Sequence, residues 1–350
     1  MESVPMRIGI LATPWAPIPP PLYGGIEQAI DGLARGFSSA GHDVTLFTTG
    51  DSTSPVARQW LLQAAEGYRM GSAVPELRHV MAGYEALADV EVIHDHTVLG
   101  PVYAEQFTEQ PVVTTIHGPF NEELTDIYRR IADRVPIIAI SHAQRAVVPD
   151  LPIAGVIHHG IEASRFPFGD GSGDYCLFLG RMNPDKGAHR AAEAARKAGV
   201  PLVMAGKCRE PWEHQFFDKE IAPYLSDEIR YVGEVPHEEK VQLLAQARCT
   251  LFPIRWNEPF GLVILESMAC GTPVLAFQEG AAPEIVEHGN TGFICEDESD
   301  MAEAIGGVVN LDRADCRAAT EGHFSMRRCV EEHLALFEQL VDGSGPAPAG

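Results

Sequence analysis

The sequence lacks any apolar run close to the roughly 20 residues that a membrane-spanning helix needs, and no basic segment followed by an apolar one stands near its start. Its seven cysteines are scattered along the chain without a single CxxC pair. This spacing argues against a disulfide or zinc framework and is typical of reduced, buried thiols. We therefore expect a cytoplasmic protein without transmembrane segments.

Positive charge is scarce as well. The 350 residues include 26 lysines and arginines against 49 aspartates and glutamates, the formal net charge is −23, and the first lysine is Lys186. Such a balance argues against nucleic acid as the main partner, and it disfavours broad docking on anionic membranes. The length and the ordinary apolar content predict two globular domains.

Short apolar runs without strict polar alternation recur along both halves of the chain, among them RIGILAT, DVTLFTT, YCLFLG and PLVMAG. Helical periodicity or turn residues follow most of them, which predicts parallel sheets covered by helices on both faces. The segment Ser164–Tyr175 is rich in Gly, Pro and Asp and favours an interdomain linker. We expect an α/β fold of two doubly wound, Rossmann-like domains, residues 1–165 and 166–324, facing an interdomain cleft. Residues 342–350 are predicted to be a disordered tail.

The stretch FLGRMNPDKG places Arg181 and Lys186 in a loop between a predicted strand and a helix. Two cations at the carboxyl end of a strand, in a strongly acidic protein, indicate a diphosphate clamp. Gly24 and Gly25 also follow a strand and precede a helix, where backbone N–H groups can approach an anion. The alternatives are an ordinary charged surface loop and a simple turn. The GxGxxG dinucleotide fingerprint is absent.

The stretch EPFGLVILESMACGTPVLAF sets two glutamates into apolar surroundings. Pro259 biases Glu258 towards an extended conformation. The helix is predicted to begin near Gly261 or Leu262, so Glu266 lies about one turn inside it. A carboxylate at this position needs a hydrogen-bond donor from elsewhere, and a ribose diol would supply two. The alternative is a helix N-terminal acid favoured by the helix dipole.

Six histidines stand at or beside predicted strand ends in the first half of the chain: His94, His96, His117, His142, His158 and His159. The HDH sequence is compatible with a metal pair, although polar strand ends bonded to loops explain most of these histidines. His117 follows a buried strand and precedes a Gly-Pro turn, so we expect its ring to enter the cleft. The alternative for His117 is a structural histidine.

Taken together, these stretches resemble the retaining, metal-independent glycosyltransferases of family 4, also called group 1, which have the GT-B fold. The stretch EPFGLVILESMACGTPVLAF looks like the E-x7-E signature followed by the A-x-G-x-P-V run, and FLGRMNPDKG looks like the G-R-x4-K phosphate clamp. The stretches YGGIE, IHG, ISHAQR, HHGIE and GAAPEIVEHGNTGFI occur in the family's order too. The resemblance covers nearly the whole chain.

The resemblance implies roles for individual residues. Arg181 and Lys186 would bind the donor diphosphate, Glu266 would accept hydrogen bonds from the nucleotide ribose, and Glu258 would face the transferred sugar. His117 would approach the sugar and the reaction centre. Backbone groups would contact the sugar or the phosphates at five positions, which are Gly24, Gly25, Phe260, Gly261 and Leu262.

The resemblance also implies a function. The enzyme would move a sugar from a nucleoside diphosphate sugar, with UDP favoured over GDP, to a hydroxyl acceptor, without a metal or other cofactor. Residues 1–165 would form the acceptor side and residues 166–324 would bind the nucleotide sugar, with a final helix at 325–341 packed back on the first domain. Some small bacterial members serve antibiotic pathways, including that of avilamycin, and the short chain is similar to these.

One loop departs from the family pattern, because HHGIE stands where many members have Asn-Gly-Val-Asp. His159 thus replaces Asn and Glu162 replaces Asp, and we assign this loop no catalytic role from the sequence. Three other functions stay open: a GT-B sugar-nucleotide epimerase, a metal-dependent hydrolase that uses the histidine-rich strand ends, and a non-catalytic binding protein of two lobes.

Overall fold

The computed structural model describes residues 4–22 and 24–343, so most of the predicted tail at 342–350 lies outside the described residues. The chain forms two compact units. Unit 1 contains residues up to Gly160 together with those from Met326 onward, and unit 2 contains Ile161–Ser325. In the described part of the chain, no helix is both long and apolar enough to cross a membrane.

Unit 1 is built around a parallel sheet of seven strands in the order β3-β2-β1-β4-β5-β6-β7. The strands are β1 (Arg7–Leu11), β2 (Asp43–Thr48), β3 (Ala57–Trp60), β4 (Val92–Asp95), β5 (Val112–Ile116), β6 (Ile137–Ala139) and β7 (Gly155–Val156). The helices are α1 (Gly25–Ser39), α2 (Ala73–Ala86), α3 (Gly100–Phe107), α4 (Glu122–Ile131), α5 (His142–Ala146) and the last helix of the chain, α13 (Met326–Val341).

Helix α13 packs closely on α1 within unit 1. Two glycines of α1 permit the approach: a Cβ atom at Gly32 would lie 2.4 Å from the side chain of Met326, and one at Gly36 would lie 2.4 Å from that of Val330. Larger residues at these two positions would push α13 away from the core. The residues of α13 that join the main hydrophobic core of unit 1 are Cys329, Val330, Leu334, Leu336 and Phe337.

Unit 2 is built around a parallel sheet of six strands in the order β10-β9-β8-β11-β12-β13. The strands are β8 (Cys176–Leu179), β9 (Leu202–Ala205), β10 (Ile229–Tyr231), β11 (Thr250–Phe252), β12 (Val274–Phe277) and β13 (Gly292–Cys295). The helices are α6 (Ala188–Ala198), α7 (Pro211–Phe216), α8 (His237–Gln246), α9 (Leu262–Ala269), α10 (Ala282–Ile285), α11 (Glu298–Gly307) and α12 (Arg313–His323).

Strand order fixes where each unit can bind a ligand. In unit 2 the chain runs outward from β8 in one direction through β9 and β10, and then returns to continue through β11 on the other side of β8. The helices after β8 and β11 therefore leave on opposite faces, and a crevice opens at the carboxyl ends of these two strands. The same reversal occurs between β1 and β4 in unit 1.

The interpretation of Ser164–Tyr175 as an interdomain linker is wrong. This segment lies inside unit 2, where the N–H of Gly169 donates to the carbonyl of Cys270 and the N–H of Gly173 donates to that of Gln246. Its glycines are needed for close packing, because a Cβ atom at Gly169 would stand 1.9 Å from a carbonyl oxygen of α8. The glycine-rich composition, which is typical of a linker, is explained here by the close contact between backbone segments.

The predicted burial of the thiols is confirmed for six of the seven cysteines. All seven are free; six are buried, and Cys208 is partly exposed. Burial raises the pKa of Cys270, Cys295, Cys316 and Cys329 to about 12, so these thiols stay protonated and unreactive at neutral pH. They act as small apolar core residues.

We expect the replacement of Arg313 by alanine to destabilise unit 2 strongly. The Arg313 guanidinium donates to the carbonyls of Gly169, Ala245 and Ala247 at 2.9 to 3.0 Å. The carbonyls of Ala245 and Ala247 lie at the C-terminal end of helix α8. Without it, buried carbonyls lose their donors at the negative end of a helix dipole. The free energy of unfolding should fall by about 3 kcal/mol, as measured by urea unfolding followed by circular dichroism.

Arg327 offers a matched control for this experiment. It is an exposed arginine of α13 that pairs only with Glu331 four residues on, and both side chains are mostly in solvent. Arg327→Ala should change the free energy of unfolding by less than about 0.5 kcal/mol. An equal loss for the two variants would contradict the capping role of Arg313.

Candidate active site

The loop after β8 carries the two predicted phosphate-binding cations. The Oδ1 atom of Asn183 accepts a hydrogen bond from the N–H of Lys186 at 3.0 Å, which closes the loop into a tight turn. Gly187 then takes a φ of 81° and directly precedes helix α6. Arg181 and Lys186 thus stand at the two ends of a short, braced loop beside the strand-order reversal.

Lys186 joins this loop to the one that follows β11. Its Nζ lies 2.5 Å from Oε2 of Glu258 and 5.3 Å from the ring centroid of Trp256. Both side chains of the ion pair are less than one-fifth exposed, so the attraction is screened less than at the surface. The structure therefore brings two of the predicted site residues into direct contact.

The backbone of Glu258 is held by the loop that follows β12. The N–H of Ala281 donates to the Glu258 carbonyl at 3.0 Å, and Gly280 has a φ of 54°. A Cβ atom at Gly280 would lie 2.3 Å from the same carbonyl, so only glycine fits there. Gly280 was not predicted as a site residue, although its stretch was matched to the family.

Helix α9 begins where the sequence predicted. Gly261 has a φ of 101° and precedes Leu262, the first residue of the helix, and Phe260 is buried beside it. The first N–H groups of a helix have no partners within it and carry partial positive charge. These groups lie at the carboxyl end of β11, where an anionic ligand can use them.

Glu266 is almost fully buried within α9, and its carboxylate is already paired. Nζ of Lys240, in helix α8, lies 2.5 Å from Oε1 of Glu266. The sequence analysis expected a hydrogen-bond donor from elsewhere for Glu266, but it did not identify Lys240, which lies on another helix. The sequence did contain one indication of this pairing, because all five lysines of the chain fall between residues 186 and 240.

Arg181 also has an acidic partner that the sequence analysis missed. Its Nε lies 3.3 Å from Oε1 of Glu213, a fully buried residue in the first turn of α7. The other oxygen of Glu213 accepts the backbone N–H groups of Arg209 and Glu210 at 2.7 and 3.0 Å. Glu213 therefore ties the start of α7 to the guanidinium. In the sequence, this role of Glu213 is indicated only by the E-x-x-E spacing of Glu210 and Glu213, which resembles a helix-capping pattern.

Gly24 and Gly25 belong to unit 1, where Gly25 begins helix α1. A Cβ atom at Gly24 would lie 2.7 Å from Pro20 and 2.8 Å from the carboxylate of Glu27. Burial raises the pKa of the Glu27 carboxyl above its ordinary value. The glycine loop therefore has an acid beside it, which the sequence analysis did not anticipate.

His117 also belongs to unit 1 and contacts other histidines. Its Nε2 lies 2.8 Å from Nδ1 of His96, and its ring stacks on that of His159. Burial lowers the pKa of all three imidazoles well below the ordinary value, so they are neutral at pH 7. His94 is bonded to the hydroxyl of Thr115 at 2.7 Å.

The HDH histidines have hydrogen-bond partners within unit 1. His94 bonds to a hydroxyl and His96 to another imidazole. Among the described residues of unit 1, no three ligand atoms of His, Cys, Asp or Glu lie within 4.8 Å of one another. A metal site normally gathers at least three such ligands.

The family of the chain follows from matches to its two halves. Residues 162–321 match the family model described as Glycosyl transferases group 1, and residues 23–165 match the one described as Glycosyltransferase Family 4. The chain is a group 1 glycosyltransferase of family 4. The membership in family 4, group 1, that the motifs suggested is thereby confirmed, and the enzyme is a glycosyltransferase.

Individual relatives of this glycosyltransferase agree with the family. A glycogen synthase from Mycobacterium tuberculosis is 27% identical over 89% of this chain and 88% of its own length. The crystal structure of AviGT4, a glycosyltransferase involved in avilamycin A biosynthesis, superposes with a TM-score of 0.78 at 25% identity, covering 97% of this chain and 99% of that one. The Anabaena protein Alr3699/HepE, solved with UDP and glucose, gives 0.77 at 18% identity, covering 95% and 100%. The predicted GT-B fold is confirmed.

Proposed function

We propose that this glycosyltransferase moves a sugar from a nucleoside diphosphate sugar to a hydroxyl acceptor, with retention at the anomeric carbon and without a metal ion. The observation that carries the proposal is the pair of cations, Arg181 and Lys186, in one braced loop at the strand-order reversal of unit 2. A helix N-terminus follows the neighbouring strand β11. Cations and a helix dipole at one crevice suit a diphosphate.

The ion pairs suggest how donor binding prepares the site. Lys186 pairs with Glu258 in the structure. A diphosphate carries more negative charge than a single carboxylate and competes for the ammonium group. When Lys186 turns to the phosphate, Glu258 becomes free to accept hydrogen bonds from the sugar hydroxyls. Binding of the phosphate and recognition of the sugar are coupled through this exchange.

The chemical step requires stabilisation of the leaving group. The bond between the anomeric carbon and the diphosphate oxygen breaks, and its electron pair leaves with the diphosphate. The acceptor hydroxyl forms the new glycosidic bond on the same face, and its proton passes to the departing phosphate. Arg181 and Lys186 stabilise the charge that develops, which is the role that a divalent metal has in other enzymes.

The remaining candidate residues have binding roles in this proposal. Glu266 holds the nucleotide ribose, with Lys240 fixing one of its oxygens. The backbone of Phe260, Gly261 and Leu262 contacts the sugar and the distal phosphate. The unit 1 residues Gly24, Gly25 and His117 are proposed to act on the diphosphate and on the sugar, as the resemblance implies.

UDP is the nucleotide we propose, because uracil donors are the commoner expectation from the resemblance and the Anabaena relative of the same fold was solved with UDP. A thermal-shift panel of UDP, GDP, ADP and TDP, each with and without EDTA, tests this. UDP at about 100 times its dissociation constant should stabilise the protein by roughly 2.7 kcal/mol, with and without EDTA. No shift with any nucleotide would overturn the proposal. The cytoplasmic location and an antibiotic pathway stay predictions.

Replacing Glu266 by alanine should weaken UDP binding by about 10-fold to 100-fold, because hydrogen bonds to a charged group contribute about 1.5–3 kcal/mol. Isothermal titration calorimetry measures the change directly. Glu266→Gln is the matched control, since it keeps one acceptor oxygen and should lose less affinity. Unchanged affinity in Glu266→Ala would reject the ribose assignment.

A proton NMR spectrum of the product decides the stereochemistry. The anomeric coupling constant of the transferred sugar should match that of the donor. An inverted product would overturn the retaining mechanism and leave the nucleotide site intact.

A further inference from the structure

Five histidines of unit 1, four of them buried and His117 partly exposed, contact one another in a cluster that we call the histidine array. His94 and His96 lie at the end of β4, His117 follows β5, and His159 lies beyond β7. Helix α13 contributes the fifth, His333, whose ring centroid lies 5.1 Å from that of His94.

The contact between His96 and His117 fixes how His117 can bind. Nδ1 of His96 lies 2.8 Å from Nε2 of His117. Two neutral imidazoles in such contact must share one hydrogen, so one ring donates and the other accepts. Nδ1 of His117 therefore carries a hydrogen when His96 is the donor and lacks one when His117 is the donor. That atom is buried and has no hydrogen-bond partner among the described residues, so it is the ring atom that remains for a ligand.

The orientation of the His117 ring is held from two sides. The rings of His117 and His159 are nearly parallel, with an interplanar angle of 11° and centroids 5.3 Å apart. The ring of His96 also stacks on that of His117, with centroids 5.1 Å apart and an interplanar angle of 30°. Arg328 of α13 donates to the carbonyls of His158 and His159, which anchors the backbone that carries the stacking ring.

The geometry points to His96 and His159 as positioning residues for His117 in the transfer reaction. His96 selects the tautomer of His117, and His159 sets the plane of its ring. A single tautomer offers the sugar either a donor or an acceptor at Nδ1, whereas a mixture would present the wrong group part of the time. This inference rests on the proposed function, which puts His117 at the transferred sugar.

Nitrogen-15 NMR of the imidazoles tests the tautomer without any substrate. In protein labelled at histidine, the His117 signals are identified by their loss in His117→Gln. We expect one His117 tautomer in the wild type and a mixture in His96→Leu. In His96→Asn, whose amide supplies a hydrogen-bonding group near the place of Nδ1, a single tautomer should return.

Steady-state kinetics with UDP-glucose or another active donor tests the consequence. His96→Leu and His159→Asn should each lower kcat by about 10-fold to 100-fold, as misplacement of a reacting group does, while the KM for the donor stays within about two-fold. His96→Asn should recover most of kcat. His79→Gln is the control, because His79 is fully buried in unit 1 and bonds to the carbonyl of Ala12 outside the array.

The outcomes separate this inference from the proposed function. A single His117 tautomer in folded His96→Leu would overturn the inference, and so would mixed tautomers with an unchanged kcat. An equal loss of kcat in His79→Gln would show that destabilisation alone explains the effect and would likewise overturn it. Failure of the wild type to bind any nucleotide would overturn the proposed function, while the tautomer measurement would still report on the array. Should His96→Leu fail to fold, His159→Asn and His96→Asn keep both readouts.

Discussion

Replacing Arg181 by alanine should lower the turnover number by about 10²–10³-fold, the loss that follows removal of one group that stabilises transition-state charge. Arg181 is one-third exposed, and its guanidinium is oriented by the buried carboxylate of Glu213. An oriented cation stabilises the departing diphosphate without the cost of reorganisation, so its effect is larger in the transition state than in the bound donor. Turnover should therefore fall more than donor affinity does.

The substitution also affects stability. Glu213 keeps two backbone donors on Oε2, but its buried Oε1, which has no hydrogen-bond partner among the described residues, loses the ion pair with Arg181. Circular dichroism of Arg181→Ala therefore accompanies the kinetics, so that the loss of turnover is measured on folded protein. Arg209→Ala is a matched control, because Arg209 is an exposed arginine of the same unit whose side chain pairs with Glu234. Its turnover should stay within about three-fold of the wild type. Initial rates of nucleotide release at saturating donor measure both variants, and an unchanged rate for Arg181→Ala would remove the proposed charge-stabilising role.

Local patterns in the sequence were sufficient for the architecture. Apolar runs separated by helical stretches predicted two parallel sheets, because strands covered on both faces have no polar alternation to obscure them. The start of helix α9 near Gly261 or Leu262 was predicted correctly, since Pro259 and Gly261 each act on the backbone locally. The strand β3 was missed because it is a largely exposed edge strand with the sequence ARQW, which has no apolar face to detect.

Partners distant in sequence were not predictable from such patterns. Glu258 pairs with a lysine 72 positions away and Glu266 with one 26 positions away. Neither spacing is periodic, because the first contact joins loops that follow two different strands and the second joins two different helices. From the sequence, we expected a ligand to supply the hydrogen-bond donors for the Glu266 carboxylate. The structure shows that Lys240 already provides one, so any ribose contact must share the carboxylate.

Acidification from pH 7.5 to 5.5 should remove most of the stability of unit 1. Seven of its histidines have pKa values lowered by burial: His79 and His333, each to about 4, His42, below the ordinary value, and His94, His96, His117 and His159, well below it. In the unfolded chain each has a pKa near 6.5. Below about pH 6.5 the unfolded state therefore binds more protons than the folded state, and stability falls as the pH falls.

Two buried acids oppose this trend. Burial raises the pKa of Asp95 to about 7 and also raises that of Glu27, so the folded state binds their protons more tightly and gains stability as the pH falls. Each group changes the free energy of unfolding by up to about 1.4 kcal/mol per pH unit. The histidines outnumber the acids, and the net loss should be on the order of 5 kcal/mol per pH unit below pH 6.5. A whole domain is typically stable by only about 5–15 kcal/mol.

Urea unfolding at pH 7.5, 6.5 and 5.5, followed by circular dichroism, measures this loss as a falling midpoint. His333→Phe tests the cause, because the ring of His333 already lies among Phe37, Phe337 and His94 and an apolar ring can replace it. This variant has one fewer buried imidazole to keep neutral, so its stability should depend on pH with a slope smaller by about one proton. An unchanged slope would mean that protons taken up elsewhere drive the transition. A smaller slope would establish that the buried imidazoles of the histidine array set the pH below which unit 1 loses stability. Two of these neutral imidazoles, His96 and His159, are the residues proposed to position His117.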